Sequence, residues 1–412
     1  MNPIRQGATA ALGHITLTAL LVLPCVLGSY AAYIALLATL LALVVGFDRA
    51  ALFAATQAGW VRMMAAAFAL LAVAFVVGAK TQQDALYALD FLPLLLAAPA
   101  VMMLQTMRVA NGPQYLARLA LAGSAAAVLA GAYDLLVLGL DRAKGLENSP
   151  IHFADYAMML GFMALVGVIV DRSRWRWVYV LGPVFGLVAV LQSGTRGALL
   201  VGGLLAVIFV LTLWRRWIRR WREALAALAV GVAIVVAAAL AAEVMGFARP
   251  FGALSVVGDL IAGRPVTDYS TALRLDFYSS GLRAIADAPW FGHGWHNQIK
   301  SALPYFSEAT LAAYANEGWG FIHNEPLGFA ISGGLVGFVA YWLFTLAPIA
   351  AHVTAPKGKG SDIRLSLILT LVGGFFLGGM TDVLMMWELP KMMFVILTAA
   401  IVVLAGPRQQ EV

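Results

Sequence analysis

The sequence predicts an all-α, polytopic membrane protein of about twelve spans with one large loop outside the bilayer. Three observations carry this. Of 412 residues, 62 % are hydrophobic and only 12 % charged, and the mean hydropathy of +0.87 lies beyond the range of water-soluble domains. Apolar runs recur from end to end, and a helix rising ~1.5 Å per residue needs roughly 20 residues to cross ~30 Å of hydrocarbon. The runs are rich in Leu, Ala and Val without period-2 alternation, so helices rather than a closed barrel satisfy the backbone in lipid.

In order, the expected spans are 9–28, 30–47, 61–79, 85–104, 115–138, 152–170, 177–193, 196–213, 223–246, 324–350, 365–384 and 388–406. The first follows Arg5 and Gln6 with no small-residue cleavage site before the next run, and reads as a retained anchor. It holds the sole cysteine, Cys25, which has no intrachain partner for a disulfide or a thiolate cage and reads as a packing residue. Orientation follows from Lys and Arg in the short loops. With "WRRWIRRWR" (214–222) inside, Arg49, Arg62, Arg108, Arg118, Arg172, Arg174, Arg176, Lys357, Lys359 and Arg364 also fall inside, and both termini are cytoplasmic. Interleaved Trp and Arg at a span end fit an interfacial belt facing anionic headgroups, not nucleic acid. The net charge of +6 is then largely a matter of topology.

Outer loops are short except one. The chain divides into 1–246, carrying the first nine spans, a loop domain at 247–322 with short helices, and 323–412 with the last three spans. Within the loop, Thr271 to Ala288 reads as a helix with Leu273, Phe277 and Leu282 among its apolar positions, ending before Pro289 because proline disfavours helical geometry in the residue ahead of it. "WFGHGWHN" (290–297) is then a glycine-rich aromatic turn.

Three charged features belong to the outer side. Arg196, in "LQSGTRGALL" (191–200), opens a returning span, where a cation opposes both the orientation rule and the positive end of the helix dipole. An anionic ligand would resolve both penalties; a snorkelling interfacial arginine is the plainer reading. Arg274 has Asp268 and Asp276 as possible partners, whereas Arg283, half a turn away in phase, reads as a surface pair with Asp287. Asn324 is the expected N-cap of a span with Pro326 in its first turn, which leaves His323 just outside the cap. Asp382, near Glu388, is placed to orient an arginine or to cap a helix, and Asp134, His152 and Asp155 sit near outer span ends with either a structural or a functional reading open.

Together "SGTRGALL" (193–200), "RLDFYSSGLRAIADAPWFGHGWHN" (274–297) and "HNEPLGFAISGGLVGF" (323–338), in this order, closely resemble the O-antigen ligase family, which groups ligases, related polymerases and bacterial protein O-oligosaccharyltransferases. The resemblance implies a GT-C-like glycosyltransferase of the bacterial inner membrane with its site on the periplasmic side. Its donor would be an undecaprenyl-diphosphate-linked glycan and its acceptor, in a ligase, a sugar of lipid A-core. Family patterns carry over to Arg196 and Arg274 as diphosphate-binding cations and to His323 as the base. Apart from the resemblance, Asn324, Arg283 and Asp382 are further candidate site residues.

The chemistry agrees with that implication. Displacing a lipid diphosphate builds negative charge on the leaving group, which fixed cations or a metal must meet. Arginine supplies paired donors matched to phosphate oxygens. No Asp-x-Asp occurs in the chain, and His293 with His296 are too few ligands for zinc, so metal independence and no cofactor are expected. A sugar hydroxyl is a poor nucleophile, and histidine, with an ordinary pKa of ~6.5, is available neutral as its base near pH 7. Length, the single large loop and short termini favour a ligase over a polymerase or a protein-directed enzyme. A flippase would place its charges near mid-membrane and show repeated halves, neither of which is seen in the sequence. Trp290, Trp295, Tyr305 and Trp319 are candidates to stack on sugar faces.

Overall fold

A computed structural model describes residues 2–217, 262–263, 268–358 and 360–406. Among them every regular element is helical. Among the described residues seven helices are long and apolar enough to cross a membrane: Gly59–Val77, Gln82–Leu104, Gly112–Leu136, Pro150–Val170, Arg174–Ser193, Glu325–Thr354 and Ser361–Thr381. Ser29–Val45, Gly197–Trp217 and Glu388–Leu404 are further apolar helices at three expected spans. Pro3–Leu21 has ample length, but Arg5, Gln6 and His14 dilute its apolar character. The expected span 223–246, and most of "WRRWIRRWR", lie outside the described residues.

The Ser29–Val45 helix shows how these segments pack. Ala31, Ala35, Ala38 and Ala42 are buried, while Leu37, Leu41 and Val44 are exposed. In lipid, apolar burial by itself gives little drive between helices, so small side chains go where backbones approach and large ones face outward. The opposite pole is Pro150–Val170, whose apolar window is 83 % buried, and Ser361–Thr381, at 72 %. These are the central helices of the bundle. Their side chains Met158, Met159 and Phe375 pack with Phe329, Tyr341 and Phe394 in one continuous core.

The Glu325–Thr354 helix is broken at Gly334, with φ 59° and ψ −150°. The turn "WFG" inserts at that break. Leu335 and Val336 donate their N–H groups to Pro289 and Trp290 carbonyls (2.8 and 3.2 Å), and His293 and Gly294 donate to Ile331 and Ser332 carbonyls (3.0 and 2.9 Å). Backbone released from a spanning helix must find partners within the protein, and the loop supplies them. A Cβ at Gly334 would lie 2.4 Å from the Trp290 carbonyl carbon, and one at Gly292 would lie 2.4 Å from that of Ser332. Only glycine permits this mutual approach. The loop domain is thereby fastened to the membrane helices rather than tethered to them.

Helix direction alternates, so the ends gather in two sets. Val77–Gly78 meets Phe291 and Gly292, Pro150 meets Thr195, and Thr381 meets Gly197 at one end. Arg62, Arg108, Arg118 and Arg172–Arg176 lie at the starts or ends that point the other way. Arg364, expected in an open loop, is 2 % exposed and donates to His352 Nδ1 and the Pro356 carbonyl.

Candidate active site

The site is assembled around His323. Asn324 is the N-cap as its sequence position predicts: Oδ1 accepts from Leu327 N–H at 3.0 Å, and Pro326 sits in the first turn where no donor is missed. Its Nδ2 donates to the Met380 carbonyl at 3.2 Å, which ties the start of this helix to the end of Ser361–Thr381. His323 itself has φ +53°, a left-handed backbone that a non-glycine residue adopts at a cost of about 1–2 kcal/mol. Tyr278, on the Tyr269–Asp287 helix, holds it there: its hydroxyl reaches the His323 carbonyl at 3.1 Å and the Met380 carbonyl at 3.3 Å.

The imidazole meets a carboxylate. His323 Nδ1 lies 2.7 Å from Asp382 Oδ1, and Asp382 is only 7 % exposed. Asp382 follows the Ser361–Thr381 helix in extended conformation, so its side chain turns back toward the start of Glu325–Thr354. A carboxylate accepts from an Nδ1–H, so this contact selects the tautomer with a lone pair on Nε2. Among the described residues Nε2 makes no hydrogen bond, and the side chain is 28 % exposed. Phe277 lies parallel to the ring at a centroid distance of 6.2 Å and is backed by Phe306 and Trp319.

The same loop helix connects the arginines. Asp268 is its N-cap, accepting from Thr271 N–H at 3.0 Å, and its Oδ2 takes Arg196 Nη1 at 2.5 Å. These bonds outweigh the partial burial that would raise the carboxyl, and hold Asp268 below the usual carboxylate range. Arg274 stands one turn before Tyr278. Neither expected acid pairs with it: Asp268 serves Arg196 and Thr271, and Asp276 accepts from the N–H and hydroxyl of Ser307. Arg274 donates Nη1 to Ser270 Oγ at 2.8 Å, and its buried Nε has no partner. Among the described residues it has no carboxylate partner, and it lies within electrostatic reach of Tyr278.

Several expectations need correction. Arg283 is exposed and makes no ion pair with Asp287, whose carboxylate instead accepts the Tyr305 hydroxyl at 2.7 Å; the tyrosine reaches across the loop domain while the arginine side chain extends to solvent. Asp382 serves a histidine and not an arginine. Trp295 is fully buried among Phe75, Phe91 and Phe329, so it offers no face to a sugar. His293 Nε2 bonds the Ala284 carbonyl at 2.8 Å, while His296 stacks on Tyr87, where burial holds its imidazole below the ordinary range. Among the described residues no group of three or more His, Cys, Asp or Glu is arranged to hold a metal ion. A groove of about 400 Å³ between Tyr269–Asp287 and Glu308–Glu317 is lined by Tyr269, Leu273, Asp276 and Ser307, on a different flank of the loop helix from Arg274 and His323.

Tyr278 and Arg142 contribute without belonging to any feature that the sequence singles out. Arg142 donates Nε to the Ser193 carbonyl at 2.6 Å and Nη2 to Thr195 Oγ1 at 3.3 Å, bracing the turn that projects Arg196. Asp134 accepts from the N–H groups of Lys144 and Gly145 (2.8 and 2.7 Å) and shapes the loop carrying Arg142. Its place near an outer span end left a structural or a functional reading open, and these backbone bonds are structural.

The O-antigen ligase family model matches residues 181–342. An uncharacterized protein of Haemophilus influenzae is 29 % identical over 204 residues, which are 46 % of this chain and 48 % of the relative. The chain thus spans about half the length of the curated relative it matches. Arg196, Arg274, His323 and Asn324 all fall inside the matched segment, whereas Asp382 and His152 do not. Over this segment the chain is similar to the O-antigen ligase family.

Proposed function

We propose that the protein is an O-antigen ligase, transferring a glycan from an undecaprenyl-diphosphate carrier to a hydroxyl of lipid A-core at the periplasmic side of the bacterial inner membrane. The observation that carries this is the pairing of His323 Nδ1 with buried Asp382, which leaves Nε2 open, on a helix start held by the same loop helix that carries Arg274, a cation with no counter-carboxylate among the described residues. His323 Nε2 takes the proton from the acceptor hydroxyl as that oxygen bonds to the anomeric carbon. The bond from that carbon to the diphosphate oxygen breaks, and the carrier diphosphate leaves with the electron pair. Arg274 and Arg196 meet the developing charge. In this reading the Arg196–Asp268 bond opens or is shared when diphosphate binds. The transfer requires neither metal nor cofactor.

Incubating purified protein with lipid-linked glycan and truncated lipopolysaccharide core, and resolving products on a gel, tests the reading. A mass shift of the core supports the ligase. Lengthening of the carrier-linked chain would assign it as a polymerase, transfer to polypeptide as a protein oligosaccharyltransferase, and absence of any product in detergent would favour a flippase. Turnover is expected to survive exhaustive chelation; strict dependence on an added divalent ion would overturn the metal-free step.

A further inference from the structure

Asp382 has two oxygens, and the second faces another imidazole. His152 Nε2 lies 3.6 Å from Asp382 Oδ2 on the side opposite His323. His152 is 3 % exposed and belongs to the first turn of Pro150–Ala164, where Ser149 Oγ accepts its N–H at 3.1 Å. Tyr156 and the edge of Trp387 hold its ring, with centroids at 6.0 and 6.2 Å. Nε2 is fully buried and has no hydrogen-bond partner. A buried imidazole nitrogen without a hydrogen bond is costly, and the ring stands at ion-pair distance from the Asp382 oxygen, with the Val383 backbone also beside it.

We propose that His152 is a positioning residue for the His323–Asp382 pair, occupying one carboxylate oxygen so that the other stays on His323 Nδ1. This rests on the reading of His323 as the base. At 3.6 Å the contact is electrostatic and not a hydrogen bond: an imidazole facing the second oxygen draws on the carboxylate's charge, and a second imidazole near the pair disfavours extra positive charge on His323. Both effects act in one direction: removing His152 leaves more of the Asp382 charge to His323 Nδ1 and favours the imidazolium in the variant. The other titratable groups facing Asp382 are Asp155 and Tyr156 on the helix of His152, Glu325 at the start of Glu325–Thr354, and Tyr278 on the loop helix. They remain in place in the variants below.

The test compares His152→Leu with His152→Gln. Leucine keeps an apolar filling against Trp387 and Tyr156 but removes the donor, while the glutamine amide puts an N–H near the position of Nε2. In the glycan-transfer assay His152→Leu is expected to lower kcat about ten-fold, a part of the ~10²–10⁴-fold a positioned base supplies, and to move the acid limb of the pH profile upward. His152→Gln is expected to restore both. A second readout is independent of transfer: the rate at which diethyl pyrocarbonate modifies His323, followed by mass spectrometry against pH, has its midpoint moved upward in His152→Leu. Equal losses in the two variants with an unmoved pH profile would mean a packing role only and overturn the proposal, as would an unmoved modification midpoint. Full transfer by His323→Ala would instead sink the base assignment itself.

Discussion

At the scale of single residues, the arrangement separates proton transfer from charge binding. His323→Ala is expected to retain binding of the carrier-linked donor while transfer falls by ~10²–10⁴-fold, measured as donor affinity beside single-turnover product formation. Arg274→Ala removes a cation that has no carboxylate partner among the described residues, so its loss should weaken donor binding without unfolding the protein. Arg196→Ala differs, because Arg196 already joins the turn after Arg174–Ser193 to Asp268 on the loop helix. It should lower thermal stability in detergent as well as turnover. The order of stability Arg274→Ala above Arg196→Ala is the measurable contrast. Along the chain only Arg274 has carboxylates close by, yet the fold gives Asp268 to the distant Arg196.

At the scale of elements, the Glu325–Thr354 helix concentrates the constraints. Asn324→Ala should cost about 0.5–2 kcal/mol, the usual loss of an N-cap, and also release the Met380 carbonyl. Gly334→Val is expected to be more damaging, since it forces a β-branched residue into positive φ and drives a Cβ against Trp290 backbone. The expected outcome is a fall in melting temperature together with protease accessibility of the 290–297 turn, because that turn is held by the broken helix. The glycines of "AISGGLVGF" were legible as a motif. Their reason was not, because the turn that fills the break comes from forty residues upstream by sequence and meets it only in three dimensions.

At the scale of the whole molecule, acid should loosen the loop domain from the membrane helices. Asp268 is held below the usual carboxylate range in the folded protein, so its contribution is fully present above its unfolded pKa and is lost as pH falls through the lowered folded value. Melting temperature followed against pH should therefore stay level above about pH 5 and drop below about pH 4. Asp268→Asn should remove much of that drop; an unchanged acid transition in this variant would mean other carboxylates govern it. High salt should matter less than for a fully exposed pair, because both side chains are partly buried.

Composition and run length determined that this chain is a helical membrane protein, because the bilayer demands about twenty apolar residues per helical crossing and leaves the backbone no other open-ended solution. Local rules likewise placed the Asn324 cap and the end of the loop helix before Pro289, since capping and proline sterics act within a few residues. Tertiary structure alone decided which charges meet. Asp382 joins His323 across 59 residues and Arg196 joins Asp268 across 72. Pairings at such separations depend on how helices pack, and in lipid that packing follows the fit of small side chains and close backbone contacts, which the one-dimensional pattern of hydropathy does not encode.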